Sequence, residues 1–420
     1  MENNKGTAVV IGAGIAGLSS AFYLMKDGWD VTIIDKKSEI ENCSYGNAGM
    51  LVPSHFTPMA APGIVAQGIK WMFDSKSPFY VRPSLSWKLM DWGLKFLKHA
   101  NRQHVDNNSK DLGALNLYSS RLYDELSSME GFDFELQQNG IIMMYKTKEV
   151  QHEEQEMAFR ARDLGLEVEL LDAGQLQALE PNMKVEALGA AYYKCDGKLY
   201  PQKLMRQLID SLKRGGVRLF DDVEVLDFKV SAGNVQEVVT SKGNFKADQF
   251  VLAPGAFLPN LSAKLGIKMP LMPGKGYSFM YTPEGQVGLN HAALLLEARV
   301  AVTPMNEKIR FSGTMELGTA NDKINVNRVK GIVESIPDYY PELKIDYPQD
   351  KVWYGYRPCT PDGLPYLGRC RKISNLTVAA GGGMMGLSLG PAFGKTVADI
   401  LSERSVPVEI MNFRPDRFDR

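Results

Sequence analysis

Thr7-Ala-Val-Val-Ile11, Gly12-Ala-Gly14-Ile-Ala-Gly17 and Asp30-Val-Thr-Ile-Ile34-Asp35 decide the reading of this chain. The first is a short apolar run of buried-strand type, Ile15 to Lys26 has helical spacing, and Asp30 to Ile34 is again strand-like. A strand, a glycine-rich turn and a helix in that order make a phosphate cradle. The first glycine makes the tight turn, the second admits a pyrophosphate against the backbone, and the third lets helix and strand pack closely. The helix start adds unpaired N–H groups and a positive dipole end. Asp35 ends the second strand eighteen positions after Gly17, where a carboxylate bonds adenosine ribose hydroxyls and repels a 2′-phosphate. These residues predict a dinucleotide site, disfavour NADP, and leave NAD and FAD open.

Working outward, 420 residues suit two packed domains or one large domain with insertions. Hydrophobic residues at 44% and charged residues at 23% are those of a folded, soluble chain. A net charge of −1 provides no field to gather nucleic acid. Cys43, Cys195, Cys359 and Cys370 lie far apart, with no CxxC and no evident metal site, which fits a reducing compartment. Two uncharged stretches, Gly6 to Met25 and Asn42 to Ile69, are too punctuated by glycine or proline to span a membrane. No targeting segment is evident, so the expected location is cytoplasmic, with peripheral contact at the inner face of the membrane left open.

Further along, Lys70 to His104 is aromatic and basic and reads as an insertion with an amphipathic helix near Leu85 to His99. Phe134 to Tyr145 has strand character and Glu149 to Leu164 reads as a charged surface helix. Pro201 to Arg214 reads as a helix, followed by strands at Val217 to Phe220, Glu224 to Val230, Val235 to Thr240 and Phe250 to Ala253. Asn375 to Ala380 is a buried strand leading through Gly381-Gly-Gly383 into a helix from about Gly386 to Leu401. Glycine is in excess, 39 of 420 or about 9% against a usual level near 7%. Six glycines fall within Gly381 to Gly394, between that strand and helix, where a helix start can stabilise negative charge on a ring.

Val9-Val-Ile-Gly-Ala-Gly-Ile-Ala-Gly17, Ser44-Tyr-Gly-Asn-Ala-Gly49, Ala60-Ala-Pro-Gly63 with Ile69-Lys-Trp-Met-Phe73, Asp196-Gly-Lys-Leu-Tyr-Pro201, Ala253-Pro-Gly-Ala256, Pro273-Gly-Lys-Gly-Tyr277 and Tyr356-Arg-Pro-Cys-Thr-Pro-Asp-Gly363 follow one another over nearly the whole chain. With the carboxy-terminal glycines, they make the sequence resemble the D-amino-acid oxidase superfamily of FAD-dependent oxidoreductases, nearest its bacterial D-amino acid dehydrogenase branch. The resemblance implies an α/β fold: an FAD-binding Rossmann-like domain (1–55, 195–270, 360–420) interleaved with an α+β, mixed-sheet substrate domain (56–194, 271–359). It implies non-covalent FAD, since Cys43 does not match the positions where relatives attach flavin.

The cofactor contacts implied are Gly12, Gly14, Ile15, Ala16 and Gly17 for pyrophosphate, Asp35 and Lys36 for adenosine ribose, and Val225 for adenine. Ser44, Asn47, Ala48 and Gly49 would line the ribityl and flavin side, with Ala253 and Gly255 at a strand end and Gly382, Gly383, Met384, Met385, Gly386 and Leu387 toward the ring. Arg357 would bind a substrate carboxylate through its bidentate fork; Tyr277 and His55 are further catalytic candidates, each with a structural alternative. The implied reaction is hydride transfer from a D-amino or proline-like imino acid to flavin, giving an imine and then a 2-oxo acid, with a quinone or respiratory carrier as electron acceptor. A glycine or sarcosine oxidase, or a non-catalytic FAD-binding subunit, are the alternatives.

Overall fold

Strand β1 (Thr7–Ile11), helix α1 (Ile15–Lys26) and strand β2 (Asp30–Ile34) form where the periodicity marks them, with β1 and β2 parallel and Val9 opposite Thr32. They belong to the computed structural model of the chain, which describes residues 5–37, 42–63, 78–81, 86–285, 288–318, 320–348 and 352–419. Among these residues β1 lies inside a six-stranded sheet ordered Tyr366–Arg369, Leu376–Ala380, Gln249–Leu252, β1, β2, Arg218–Phe220. Neighbours run parallel except at the outer Tyr366–Arg369 strand.

Successive side chains of a strand point to opposite faces, and both faces of this sheet are covered. Ala8, Val10, Val31 and Ile33 pack with α1 and with helices Pro201–Arg214 and Gly390–Leu401. Val9, Ile11, Ile34, Phe250 and Leu252 pack with Phe228, Val235 and Val238 of a three-stranded antiparallel sheet, Val225–Ser231, Asn234–Thr240 and Gly243–Phe245. Each large aliphatic side chain buried this way contributes about 1.5–3 kcal/mol. Where the Gly390–Leu401 helix crosses α1, a β-carbon on Gly394 would lie 2.3 Å from the Ser19 backbone, so glycine sets the approach.

The second layer is a mixed nine-stranded sheet running Trp353–Cys359, Met272–Tyr281, Lys308–Leu317, Val300–Met305, Ala292–Leu295, Ile141–Tyr145, Gly189–Tyr193, Val168–Asp172, with Phe79–Val81 pairing beside Lys308–Leu317. A short antiparallel pair, Met50–Leu51 with Gly197–Lys198, ties the loop after β2 to this layer.

Several expectations are revised. The strand expected over Phe134 to Tyr145 begins at Ile141, because Glu135 (φ 56°) and Gly140 (φ 82°) take left-handed conformations that interrupt extension. The last helix begins at Gly390, with Pro391 in its first turn; Gly383–Met385 forms a 3-10 turn instead. The amphipathic helix is Trp87–His99; Leu85 and the Ile69 to Phe73 segment with Trp71 lie outside the described residues. A 26-residue helix, Arg102–Ser127, was not anticipated; Asn101 caps it by accepting the His104 N–H at 2.9 Å. Its buried face is partly polar, with Asn108, Ser109, Asn116 and Ser119 inside, which blurs the apolar stripe that periodicity relies on.

Candidate functional site

A cleft of about 1420 Å³ runs along the carboxyl ends of the six-stranded sheet and across the face of the second sheet. It is larger than the roughly 300–1,000 Å³ of ordinary small-molecule sites, as a dinucleotide with a second ligand requires. It is lined at one end by Val223 to Leu226, Asp35 and Lys36, and at the other by Arg357, Tyr277 and His55.

The amino-terminal wall is mostly backbone. Gly12 (φ 111°) leaves β1 so close to the next strand that a β-carbon would lie 2.3 Å from the Ala253 carbonyl oxygen. Gly14 opens toward the cleft, with Ser44 Oγ 3.7 Å from where its β-carbon would be, and Ile15 and Ala16 begin α1 beside it. Gly17 does not line the cleft, contrary to its expected pyrophosphate contact: its β-carbon would lie 1.8 Å from the Gly12 carbonyl oxygen, so its service is packing. Asp35 accepts the Ala13 N–H at 2.5 Å and the Lys37 N–H at 2.8 Å. Burial raises its carboxyl, and those two hydrogen bonds oppose the rise. Each oxygen keeps acceptor capacity for hydroxyl groups. Lys36 donates to Glu224 Oε1 at 2.6 Å, next to Val225.

The loop after β2 is clamped from three sides. Ser44 Oγ accepts the Ile15 N–H at 3.1 Å, joining the loop to the start of α1. Arg310, 2% exposed, donates to the carbonyls of Tyr45 at 3.2 Å and Asn47 at 2.6 Å, and Ser278 donates to that of Gly46 at 2.8 Å. Burial presses the Arg310 guanidinium down to about 10, so it stays a cation at neutral pH. Asn47 and Ala48 line the cleft, but Gly49 does not: it turns behind the wall at φ 78°, where a β-carbon would lie 2.4 Å from the Leu199 carbonyl oxygen. Cys43 opens onto the cleft, its sulfur accepts the Tyr356 N–H at 3.2 Å, and partial desolvation raises its thiol.

The carboxy-terminal wall carries Gly382, Gly383, Met384, Met385, Gly386 and Leu387, all lining the cleft, with Ala253 and Gly255 beside them. Beta-carbons on Gly255, Gly383 and Gly386 would meet nothing within 4 Å, so these positions border open space. The unanticipated long helix holds this turn: Tyr123 donates to the Leu387 carbonyl and Ser119 to the Ser388 carbonyl, both at 2.6 Å. Nothing in local sequence links these pairs, which are 264 and 269 residues apart.

Arg357 lies on the Trp353–Cys359 strand and projects across Gly276, where a β-carbon would lie 2.1 Å from Nη1. Nη1 donates to the Thr314 carbonyl at 2.6 Å, and among the described residues no carboxylate pairs with it. Burial lowers its pKa from the usual arginine value. Such a half-buried cation without a carboxylate partner invites an anionic ligand. Tyr277 departs from the expected substrate contact. It is 1% exposed, donates to Glu316 Oε1 at 3.1 Å and accepts the Asn325 N–H at 3.2 Å, so its hydroxyl is committed and its ring serves as wall. His55 lines the cleft with Nδ1 3.3 Å from Ser54 Oγ, and burial lowers its pKa to about 4, leaving it neutral.

The cleared backbone at Gly14, Gly383 and Gly386, the ribose-type carboxylate at Asp35 and the cleft's length fit FAD. Residues 7–400 match the DAO family, described as FAD dependent oxidoreductase. The chain is 31% identical to a D-amino acid dehydrogenase of Vibrio atlanticus over 94% of its own length and 95% of the relative's. In fold it is similar to glycine oxidase from Geobacillus kaustophilus (TM-score 0.78, 24% identity, 98% of each chain). It is likewise similar to L-proline dehydrogenase from P. horikoshii (TM-score 0.77, 20% identity, 99% of this chain and 98% of the other). Sequence, sheet order and cleft thus agree, and the chain belongs to the DAO family of FAD-dependent oxidoreductases.

Proposed function

We propose that the protein oxidises the Cα–N bond of D-amino acids, with proline-like cyclic imino acids within its range. The observation that carries the amino-acid reading is Arg357, a half-buried guanidinium with a fork of donors and no carboxylate partner among the described residues, on the cleft that takes the dinucleotide. The D configuration is supported by the name of the Vibrio relative.

When bound, FAD supplies the two-electron acceptor for a hydride leaving Cα. Gly12 and Gly14 would face its pyrophosphate, Asp35 its ribose, Val225 its adenine, and Ser44, Asn47, Ala48 and the Gly382 to Leu387 turn its ribityl and ring portions. Arg357 fixes the substrate carboxylate, and Gly276 keeps the space its guanidinium occupies. The Tyr277 ring and the sheet under it exclude water, so orientation and electrostatics carry the catalysis. On this reading 1–55, 195–270 and 360–420 form the cofactor domain, and 56–194 and 271–359 the substrate domain.

Helix Trp87–His99 supports a membrane-associated electron acceptor such as a quinone. Trp87, Met90, Leu94 and Leu97 follow one another at helical spacing and are 73%, 50%, 64% and 55% exposed, beside Lys88, Lys95 and Lys98. An apolar stripe flanked by lysines is the pattern of a helix lying in a membrane interface. Among the described residues no helix is long and apolar enough to cross a membrane.

Anaerobic bleaching of the flavin band, screened over D- and L-amino acids, prolines, hydroxyprolines, glycine and sarcosine, tests the proposal. Bleaching by D-amino or imino acids is expected. Bleaching by glycine or sarcosine alone would replace the substrate class, and no bleaching by any amine would favour a non-catalytic subunit. Rapid reoxidation of the reduced protein by a quinone analogue but not by air is expected for the acceptor.

A further inference from the structure

Asp196 is buried, and nothing in the mechanism above uses it. It follows the Gly189–Tyr193 strand and is 0% exposed, with no cation paired to it among the described residues. Its Oδ1 accepts the Ser54 N–H at 2.9 Å, its Oδ2 accepts the Ser54 hydroxyl at 2.5 Å, and the Cys195 thiol lies 3.6 Å from Oδ1. The same Ser54 oxygen is 3.3 Å from Nδ1 of His55, whose ring borders the cleft. A buried carboxylate therefore reaches the cleft through one hydroxyl and one imidazole.

Counting protons along this chain gives two states. Ser54 has a single hydroxyl proton. With Asp196 ionised, Ser54 donates that proton to Oδ2, so His55 must donate from Nδ1 and its Nε2 is a bare lone pair. With Asp196 protonated on Oδ2, the carboxyl donates to Ser54, Ser54 donates to Nδ1, and the imidazole proton sits on Nε2. The states differ by one proton and neither contains an imidazolium.

We infer that Asp196, Ser54 and His55 form a one-proton relay that takes the ammonium proton of the substrate at His55 Nε2 and stores it on Asp196. The inference rests on the amino-acid reading proposed above. An amino acid arrives as an ammonium at neutral pH, and hydride leaves Cα with the help of a nitrogen lone pair, so that proton must go first. As the substrate N–H bond breaks, its electron pair stays on nitrogen and an Nε2–H bond forms. The Nδ1 proton passes to Ser54 Oγ, and the former Ser54 proton passes to Asp196 Oδ2. His55 and Ser54 end neutral, and Asp196 ends as a carboxylic acid.

The surroundings favour the carboxyl as the store. Burial holds the Asp196 carboxyl up to about 7, whereas it holds the His55 ring down to about 4. The charged and titratable groups facing Asp196 are Cys195, whose thiol burial raises, and Glu154, itself raised to about 7 by burial and hydrogen-bonded to the Tyr193 hydroxyl at 2.8 Å. Arg299 offsets Glu154. Around the His55 ring, desolvation is the operative influence, and the Asn116 amide donates to the His55 backbone carbonyl at 3.5 Å.

Two measurements test the relay. The sequence holds five histidines, so ¹⁵N-histidine NMR of the whole protein resolves the His55 tautomer. We expect Nδ1–H above about pH 7 and Nε2–H below it, with a pH-independent tautomer in Asp196→Asn. In anaerobic stopped flow, Asp196→Asn and Ser54→Ala should slow flavin bleaching about 10²-fold at neutral pH. The deficit should vanish at alkaline pH, where the substrate amine arrives neutral, and Ser54→Thr should restore the rate. A wild-type His55 that keeps one tautomer across pH 5–9 overturns the relay, as does a variant deficit equal at every pH. If no amine bleaches the wild-type flavin, the amino-acid reading fails, while the tautomer titration still decides whether the chain switches. Should Asp196→Asn fail to fold, the wild-type titration and Ser54→Ala carry the test.

Discussion

The two long walls of the cleft are built by different means. The wall formed by β1, α1 and the carboxy-terminal turn presents backbone, cleared by glycines to bare N–H groups and open space. The wall formed by the nine-stranded sheet presents the half-buried Arg357 guanidinium to the cleft, while Arg310, Lys275 and Glu316 are buried charges of the same sheet outside the lining, each held by specific partners. Backbone recognition is generic, since any dinucleotide offers phosphates. Side-chain recognition is selective, because an arginine fork in a low-dielectric wall rewards one anion geometry. Substitutions on the first wall should therefore fail by steric exclusion, and those on the second by loss of charge complementarity.

Gly17→Ala should break the first wall outright. Its β-carbon would lie 1.8 Å from a backbone oxygen that has nowhere to move, and we expect a loss of more than about 3 kcal/mol with no flavin retained in purified protein. Gly386→Ala is the contrasting case, since its β-carbon meets no protein atom. Thermal unfolding without added FAD should be unchanged while flavin affinity falls; a drop in stability without the cofactor would refute the view that this glycine is kept clear for a ligand.

In the sheet that forms the second wall, Arg310→Met strips the donor from two carbonyls of the loop after β2. About 1–3 kcal/mol per unsatisfied group is expected, read as a lower unfolding midpoint together with faster flavin loss. Arg357→Met should spare flavin content and raise the substrate concentration for half-maximal bleaching by about 10- to 150-fold, corresponding to about 1.5–3 kcal/mol for a charged hydrogen bond. Gly276→Ala should reproduce part of that defect by displacing the guanidinium; equal flavin loss in either variant would erase the distinction between the walls. The smallest effect on stability, within about 0.5 kcal/mol, is expected for Trp87→Ser with Leu94→Ser. That pair should nevertheless abolish co-sedimentation with anionic lipid vesicles.

What the amino-acid string reveals follows the same division. The βαβ unit is legible because the short apolar runs, the glycine spacing and Asp35 are all local, and the structure places α1 on the expected residues, Ile15–Lys26. Cleft-lining residues taken from contiguous motifs, such as Asn47, Ala48 and Gly382 to Leu387, do come together. Gly17 and Gly49 share those motifs yet face away, since a motif records that a glycine is needed without saying whether protein or ligand fills the space. The supports are opaque. Arg310 is one arginine in a mostly buried strand, and its partners Tyr45 and Asn47 lie 265 and 263 residues away. The Arg102–Ser127 helix hides behind its buried asparagines and serines. Long-range polar pairing leaves no periodic trace, so it emerges only from the folded chain.

The strand order of the six-stranded sheet also sets a timetable for synthesis. β1 pairs with Gln249–Leu252, which pairs in turn with Leu376–Ala380. At roughly 5–20 residues per second on a ribosome, the first strand waits tens of seconds for its inner neighbour and longer for the sheet to close. During that interval Val9 and Ile11, which end up at most 3% exposed, have no permanent cover. Helix α1 covers the opposite face, against Ala8 and Val10, so this face stays open, and nested truncations from the carboxy terminus should remain aggregation-prone until the last parallel strand has been made.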